Sequence, residues 1–296
     1  MAKTIAYAMR QSLQKQANYG HSKEQMKNIM QHKTTEPVPG IYSYTTMKSY
    51  IQTVNEYSKW LSEFKNIKYV KDIDKAEQYA KEYLKCRELN GCSQYTIAKD
   101  KSAISKALSI KIDYTTHTHS QEITRSREQK SYEKHISENG KYKDIFTLCH
   151  ATGLRRHEVT LLRPCNLKYD KDNLYIVVER GKGGKYRESI VLPKYRQQII
   201  DIFNKAKDKD RVFDNVPKKI DIHHMRGEYA KDLYREIQDN REFREQIKER
   251  FGISEKGVYY MRGNNVGIKF NKEDIKIIST QLGHNRIDTT ICNYIK

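Results

Sequence analysis

His157-Glu158 opens like a zinc-binding HExxH helix, but Leu161 stands where the second histidine is required. The glycines around Gly181 do not fit GxxxxGK[ST], so no phosphate-cradling loop of that type is present. Aspartates recur at alternate positions in Asp72/Asp74, Asp170/Asp172 and Asp208/Asp210, in lysine-rich, loop-like surroundings that read as solvated faces. Metal- or ATP-driven phosphoryl transfer finds no support in these patterns. What remains is an ordered series of basic residues and one late tyrosine. The series runs TGLRRHE (Thr152–Glu158), GKGGK (Gly181–Lys185), HHMR (His223–Arg226), LGH (Leu282–His284) and Tyr294. Arginine suits a phosphate partner, because its planar fork donates two parallel hydrogen bonds and does not deprotonate. Composition points the same way: 56 Lys+Arg against 37 Asp+Glu give a net charge of +19. Such an excess favours a polyanion, and nucleic acid is the commonest.

A His-x-x-Arg alone is expected by chance about 0.6 times in a chain of this composition. The order of TGLR, His223-x-x-Arg226, LGH and a tyrosine ten residues later is what makes coincidence improbable. In this order the sequence resembles the tyrosine recombinases, the phage-integrase-like site-specific recombinases of mobile elements. The resemblance runs from about residue 140 to 296 and is weaker over 41–110, where those enzymes carry a helical core-binding domain. It implies that Arg155 and Arg226 clamp the scissile phosphate and that Glu158 orients the basic cluster. A surface ion pair would explain Glu158 nearly as well. It further implies that Lys182 protonates the departing 5′ oxygen, with Lys185 as the alternative. His223 would receive the nucleophile's proton or hydrogen bond, His284 would bond the phosphate, and Tyr294 would attack it. Tyrosine ionises near ~10, so attack at neutral pH needs a base and nearby positive charge. Arg156 and His224, beside two of these residues, read as surface or packing positions.

The match has departures. His284 and Tyr294 are one residue further apart than in many relatives, and Arg226 and His284 are separated by a much longer connection than is usual. The extra Arg241–Phe270 stretch could contact DNA, contact a neighbouring protomer, or elaborate the surface. Only two residues follow Tyr294, leaving no length for a segment that packs on the next subunit.

The elements that must position these residues can be read from periodicity. Residues 1–33 look helical as far as a turn at His32–Gly40 punctuated by Pro37 and Pro39. Tyr50, Ile51, Val54, Tyr57, Trp60, Leu61 and Phe64 form a helical stripe. Helices follow from Asp74 to Leu89, ended by Asn90-Gly91, and from Ser93 through Leu108. Beyond a Thr/Ser- and charge-rich stretch, Tyr142–Ala151 is helical, Thr152-Gly153 breaks it, and a new helix runs from Arg155 towards Pro164. LYIVVE (Leu174–Glu179) and RESIVL (Arg187–Leu192) form a hairpin around the glycine-rich turn. Helices resume at Pro193–Lys207, His224–Gln238 and Arg241–Arg250, then a hairpin over Gly257–Phe270 and a helix over Lys272–Leu282.

The expected fold is mainly α with a small β-hairpin or sheet. An N-terminal helical extension (1–40) and a helical core-binding domain (41–112) precede a linker (113–134) and a mixed α/β catalytic domain (135–296). Both halves are basic, so a clamp around a duplex is the simplest picture. Lys48, Lys99, Lys101 and Lys106 are the candidate phosphate contacts of the first half. Five scattered cysteines without a CxxC pair read as small, mostly buried thiols, not a disulfide frame or zinc site. No apolar stretch approaches membrane-spanning length, and the basic start MAKTIAYAMRQSLQKQ has no signal-peptide core. A cytoplasmic, nucleoid-associated prokaryotic protein is expected.

The function implied is site-specific recombination, integrating or excising a mobile element through a 3′-phosphotyrosine and a Holliday junction. Double-stranded DNA is the partner, with a homo-tetramer on it, a monomer or weak oligomer without it, and an accessory bending or directionality factor. No cofactor, metal or membrane is called for. Two other readings remain: a type IB topoisomerase-like relaxing enzyme, and a non-catalytic basic DNA-binding protein.

Overall fold

The computed structural model describes residues 3–21, 23–30, 38–116, 136–170, 173–182, 184–261, 266–284 and 286–295. The chain divides into two compact units, Met1–Arg125 and Ser126–Lys296. The expected linker lies outside the described residues from 117 onward, as do 31–37 of the expected proline turn. Among the described residues no helix is long and apolar enough to cross a membrane.

The first unit is helical: α1 (Ile5–Lys15), α2 (Lys23–Ile29), α3 (Tyr44–Phe64), α4 (Ile73–Gln78), α5 (Ala80–Leu89) and α6 (Gln94–Leu108). Met47, Val54, Tyr57 and Leu61 keep helical spacing and form the buried stripe of α3, whose N-terminus Ser43 caps through the Thr46 N–H. Ile5, Met9 and Leu13 of α1 are buried in the same core. The stretch 1–33, expected to be helical, holds two helices among its described residues. The chain leaves α1 at Gln16, whose side-chain amide donates to the Lys106 carbonyl at 2.8 Å, and Gly20 takes a left-handed φ of 81° before α2. Under the core, Asp100 is fully buried, accepting from Thr53 Oγ1 at 2.7 Å and Arg87 Nε at 3.2 Å.

The second unit holds α7 (Lys143–Thr152), α8 (Arg156–Leu161), β1 (Leu167–Asp170), β2 (Asn173–Val178), β3 (Arg187–Ile190), α9 (Arg196–Lys205) and α10 (Ile222–Asp239). It continues with α11 (Arg241–Phe251), β4 (Val258–Tyr260), β5 (Lys269–Asn271), α12 (Lys272–Gln281), α13 (Ile287–Thr290) and a π-helical turn, Ile291–Ile295. The fold is thus mainly helical with small antiparallel sheets, as expected. The hairpin is the edge of a three-stranded sheet ordered β1-β2-β3. LKYD, the added strand, is short and alternates apolar with charged residues, so its sequence reads equally well as loop. All six residues of β2 are buried. Leu174, Ile176 and Val178 face a core with α7 and α9, while Tyr175 faces a second core built on α10, α11 and α12. A strand covered on both sides needs a continuous apolar run, which is what NLYIVV supplies.

The expected second hairpin forms, with Tyr259 paired to Phe270. Its inner face, Tyr259, Met261 and Phe270, packs with Ile275 of α12 and with Ile291 and Ile295 of the π turn. Its outer face leaves Val258 and Tyr260 exposed. Polar pairs fix α11 in place. Arg244 bonds Asp274 at 2.7 Å and Glu273 at 2.5 Å, and Arg250 bonds Glu188 at 2.6 Å. Cys149 is buried and Cys86 and Cys92 half-buried, but Cys165 and Cys292 are exposed, correcting the expectation of mostly buried thiols.

Candidate active site

The TGLR turn sets the first arginine. Gly153 ends α7 in the left-handed conformation (φ 58°), which glycine adopts without a Cβ penalty. A methyl there would stand 2.9 Å from Tyr229 Cγ and Cε1. Arg155 then caps α8, which is shorter than expected. Glu158, in the first turn, reaches back to accept from the Arg155 backbone N–H at 2.8 Å and from its Nη1 at 3.0 Å. Arg155 Nη2 donates to the Leu282 carbonyl at 3.0 Å.

His223 and Arg226 lie one turn apart at the start of α10, where Asp221 accepts from the His223 and His224 backbone N–H groups. His223 is exposed; Arg226 is 1% exposed and donates to the Gly153 and Leu282 carbonyls. Both arginines therefore grip the C-terminal end of α12, whose last carbonyls have no helical partner and carry the negative end of its dipole. That relieves part of the repulsion between two neighbouring cations. Gln281 and Ser189 hold this helix end in place. Gln281 Oε1 accepts from the Ile190 N–H at 2.7 Å, and Ser189 Oγ lies 3.4 Å from the Gln281 carbonyl and donates to that of Thr152, at the end of α7, at 2.6 Å.

After α12, Gly283 turns the chain (φ 61°) and delivers His284 to the arginines, its Nε2 3.4 Å from Arg226 Nη2 and its Nδ1 3.1 Å from Thr290 Oγ1. An arginine can only donate, so this contact makes Nε2 the acceptor and puts the histidine proton on Nδ1. Burial, then the charges of Arg226, Arg155, Arg187 and Lys182, push the His284 imidazole down to about 3. Lys182 is exposed in the turn after β2, near enough for that charge to be felt; the turn is closed by Gly181 N–H to the Lys185 carbonyl at 2.8 Å.

Tyr294 lies in the π turn and is 7% exposed. Its ring centre is 5.2 Å from that of His284 and 5.4 Å from that of His223, and the Arg226 guanidinium carbon is 5.7 Å from it. Beside this cluster opens a cavity of about 360 Å³ lined by Arg155, Arg226, His223, Arg156 and Lys218. Arg156, read as a surface position, donates to the Pro217 carbonyl at 2.6 Å and to that of Ile220, pinning the loop that enters α10. Among the described residues no group of three or more His, Cys, Asp or Glu is placed to hold a metal ion.

One member of the cluster was not anticipated. Arg187, the first residue of β3, has its Nη2 2.5 Å from Glu158 Oε2, with its side chain only 9% exposed. Burial pushes its guanidinium down to about 10 despite the carboxylate. For Glu158, burial works to raise the carboxyl, but Arg187 and the Arg155 contacts outweigh it and hold it below the usual range. For Arg187 the sequence offers no signal beyond a place at the head of the RESIVL run; the register that sets it opposite buried Val178 is seen only in the structure.

In the first unit Lys48 is exposed on α3. Lys99 pairs with buried Asp100 at 3.1 Å, and Lys101 donates to the Tyr114 carbonyl at 2.9 Å. Lys106 is half-buried, and burial, then the charge of Lys23, lowers its ammonium pKa.

No family model and no curated protein matches the sequence. Solved structures do. The XerH site-specific recombinase bound to palindromic difH substrate, a post-cleavage complex, aligns over 98% of this chain and 90% of its own, at 12% identity and a TM-score of 0.56. Its pre-cleavage complex with difH aligns over 97% and 89%, at 13% identity and 0.49. The Tn1549 transposon integrase with circular intermediate DNA aligns over 99% and 95%, at 14% identity and 0.46. Through the first of these likenesses, which spans both units, the chain is seen to carry the fold of the tyrosine recombinases.

Proposed function

We propose that the chain is a site-specific DNA recombinase, cutting and rejoining duplex DNA to integrate or excise a mobile element. The observation that carries this reading is the convergence on Tyr294 of His223 and Arg226, from the start of α10, and His284, from the turn after α12, all within 6 Å of its ring centre. Tyr294 Oη attacks the phosphorus, its proton passing to His223. The phosphorus–O5′ bond breaks, and the departing oxygen takes a proton from Lys182. Arg155 and Arg226 donate to the non-bridging oxygens, where charge accumulates in the pentacoordinate transition state. They leave carbonyls, weaker acceptors than phosphate, to do so. His284 Nε2 bonds the same phosphate once a proton reaches it, which the phosphate's negative charge favours. The 3′-phosphotyrosine conserves the energy of the broken bond, so a 5′ hydroxyl of the partner strand can displace Tyr294 without ATP. Paired exchange at two sites calls for a homo-tetramer on DNA and a Holliday junction between its two rounds.

The test is recovery, under denaturing conditions, of DNA bound covalently to protein from cells expressing wild type or Tyr294→Phe, with sequencing of the attached 3′ ends. Adducts from wild type alone, clustered at one or two repeated sequences, are expected. Scattered adducts would indicate a relaxing enzyme, and equal recovery from both proteins would remove Tyr294 as nucleophile.

A further inference from the structure

Arg187 is an expensive residue to bury. Among the described residues its buried Nε and Nη1 have no hydrogen-bond partner, and Nη2 is spent on Glu158. An apolar side chain of the same length would fill the space without desolvating a charge. Its place gives the cost a reason. The aliphatic end lies flat across Gly283: a methyl on that glycine would stand 2.7 Å from Arg187 Cδ and 2.8 Å from its Nε, with Arg155 Nη1 3.6 Å away. The start of α8, the head of β3 and the turn after α12 thus meet on one side chain.

We propose that Arg187 is the positioning residue of the site, holding Glu158 ionised and oriented so that Glu158 in turn fixes Arg155, while its stem sets the Gly283 turn that presents His284. The functional part of this inference rests on the recombinase reading above; the electrostatic part does not. Arg187 lies behind Glu158 and touches no reacting atom. Three cations face the Glu158 carboxylate, Arg155 from α8, Arg187 from β3 and Arg226 from α10. Glu179, Arg163, Arg180 and Arg211 line the cavity on its other side. Without Arg187 the largest favourable charge on Glu158 is gone and its burial remains. The carboxyl then titrates at higher pH and, once protonated, keeps at most a neutral hold on Arg155.

Two measurements on the full chain test this. Carboxyl-labelled glutamate, followed by carbon NMR with Glu158→Gln to assign the signal, reports the titration of Glu158 in DNA-free wild type and Arg187→Met. A displacement to higher pH by at least one unit is expected; an unmoved titration overturns the proposal. The second is the rate of covalent adduct formation against pH, on a duplex carrying the sequence recovered with wild type. Arg187→Met is expected to bind it within about twofold of wild type yet form adduct at least tenfold more slowly, with its acid limb moved upward. Arg187→Lys should restore part of the rate, and Glu158→Gln should add little in the Arg187→Met background. A merely structural role would lower the adduct yield and leave the pH limb in place, which refutes the proposal. Should Arg187→Met not fold, Arg187→Gln, which is neutral and polar, carries both measurements, and a wild-type profile from it overturns the inference. Absence of adduct from wild type would sink the recombinase reading and leave the Glu158 titration as the deciding result.

Discussion

Gly153→Ala tests whether the TGLR glycine is there for space. Two costs add. A left-handed backbone costs an L-residue about 1–2 kcal/mol, and the new methyl meets the ring of Tyr229, with Cγ and Cε1 at 2.9 Å and Cδ1 closer still. That ring is fully buried and tied by its hydroxyl to the Ile190 carbonyl at 2.9 Å, so it cannot swing away. Overpacking of this kind costs about 1–3 kcal/mol. The sum is about 2–5 kcal/mol, or roughly 4–20 °C in the melting of a unit of this size. Calorimetry gives the melting shift, and hydrogen exchange at the α7 and β2 amides assigns it to the second unit. The decisive comparison is the same substitution in a Tyr229→Leu background. Leucine clears the ring atoms, so only the backbone cost of about 1–2 kcal/mol should survive, leaving a coupling of about 1–3 kcal/mol. Equal costs in the two backgrounds, or a cost below about 1 kcal/mol in wild type, would refute the steric account.

Three further outcomes are expected. Because the folded chain holds His284 near 3 while an unfolded histidine titrates near 6.5, the unfolded state binds the extra proton as pH falls from 6.5 to about 3. Stability should drop by up to about 1.4 kcal/mol per pH unit over that window, with a further loss as Glu158 protonates below its usual range. Denaturant titrations should show the slope flattened in His284→Gln, and an identical slope would contradict the assignment. On DNA, Lys48→Ala should reduce the slope of log affinity against log salt by about 0.9. Lys101→Ala, whose ammonium is engaged by the Tyr114 carbonyl, should leave that slope unchanged. Met261→Ala should cost about 2–5 kcal/mol and speed amide exchange across Ile291–Ile295 more than in α7; uniform acceleration would show that the hairpin does not support the tyrosine segment.

The residues that the structure gathers around Tyr294 could be picked out because their types are unusual together in that order. No other tyrosine follows LGH, so Tyr294 needed no structure to be singled out among 22. The helices of the first unit were legible because stripes such as Val54, Tyr57 and Leu61 leave one arrangement that buries them. Arg187 was not, since an arginine beginning a strand looks like any solvated edge residue until the register places it opposite a buried position. Lys99 and Lys101 show the converse: on the sequence they are indistinguishable from Lys48, and only Asp100 and the Tyr114 carbonyl set them apart. The break after α1 was hidden because the apolar content of 1–33 gives no hint that Gln16 turns to the Lys106 carbonyl.

The packing of the second hairpin changes what can be exchanged between proteins of this fold. By the sequence resemblance, Arg241–Phe270 counts as an extra stretch, and a chimera designer would treat it as removable. Its inner face is the floor beneath Ile291 and Ile295, and α11 is pinned through Arg244 to the first turn of α12. Excision would strip apolar cover from both sides of the residue that follows Cys292-Asn293. The transplantable block is therefore Arg241 through Ile295, taken whole. A graft joining a foreign tyrosine segment to this hairpin must match the three side chains Tyr259, Met261 and Phe270 before its catalytic residues matter.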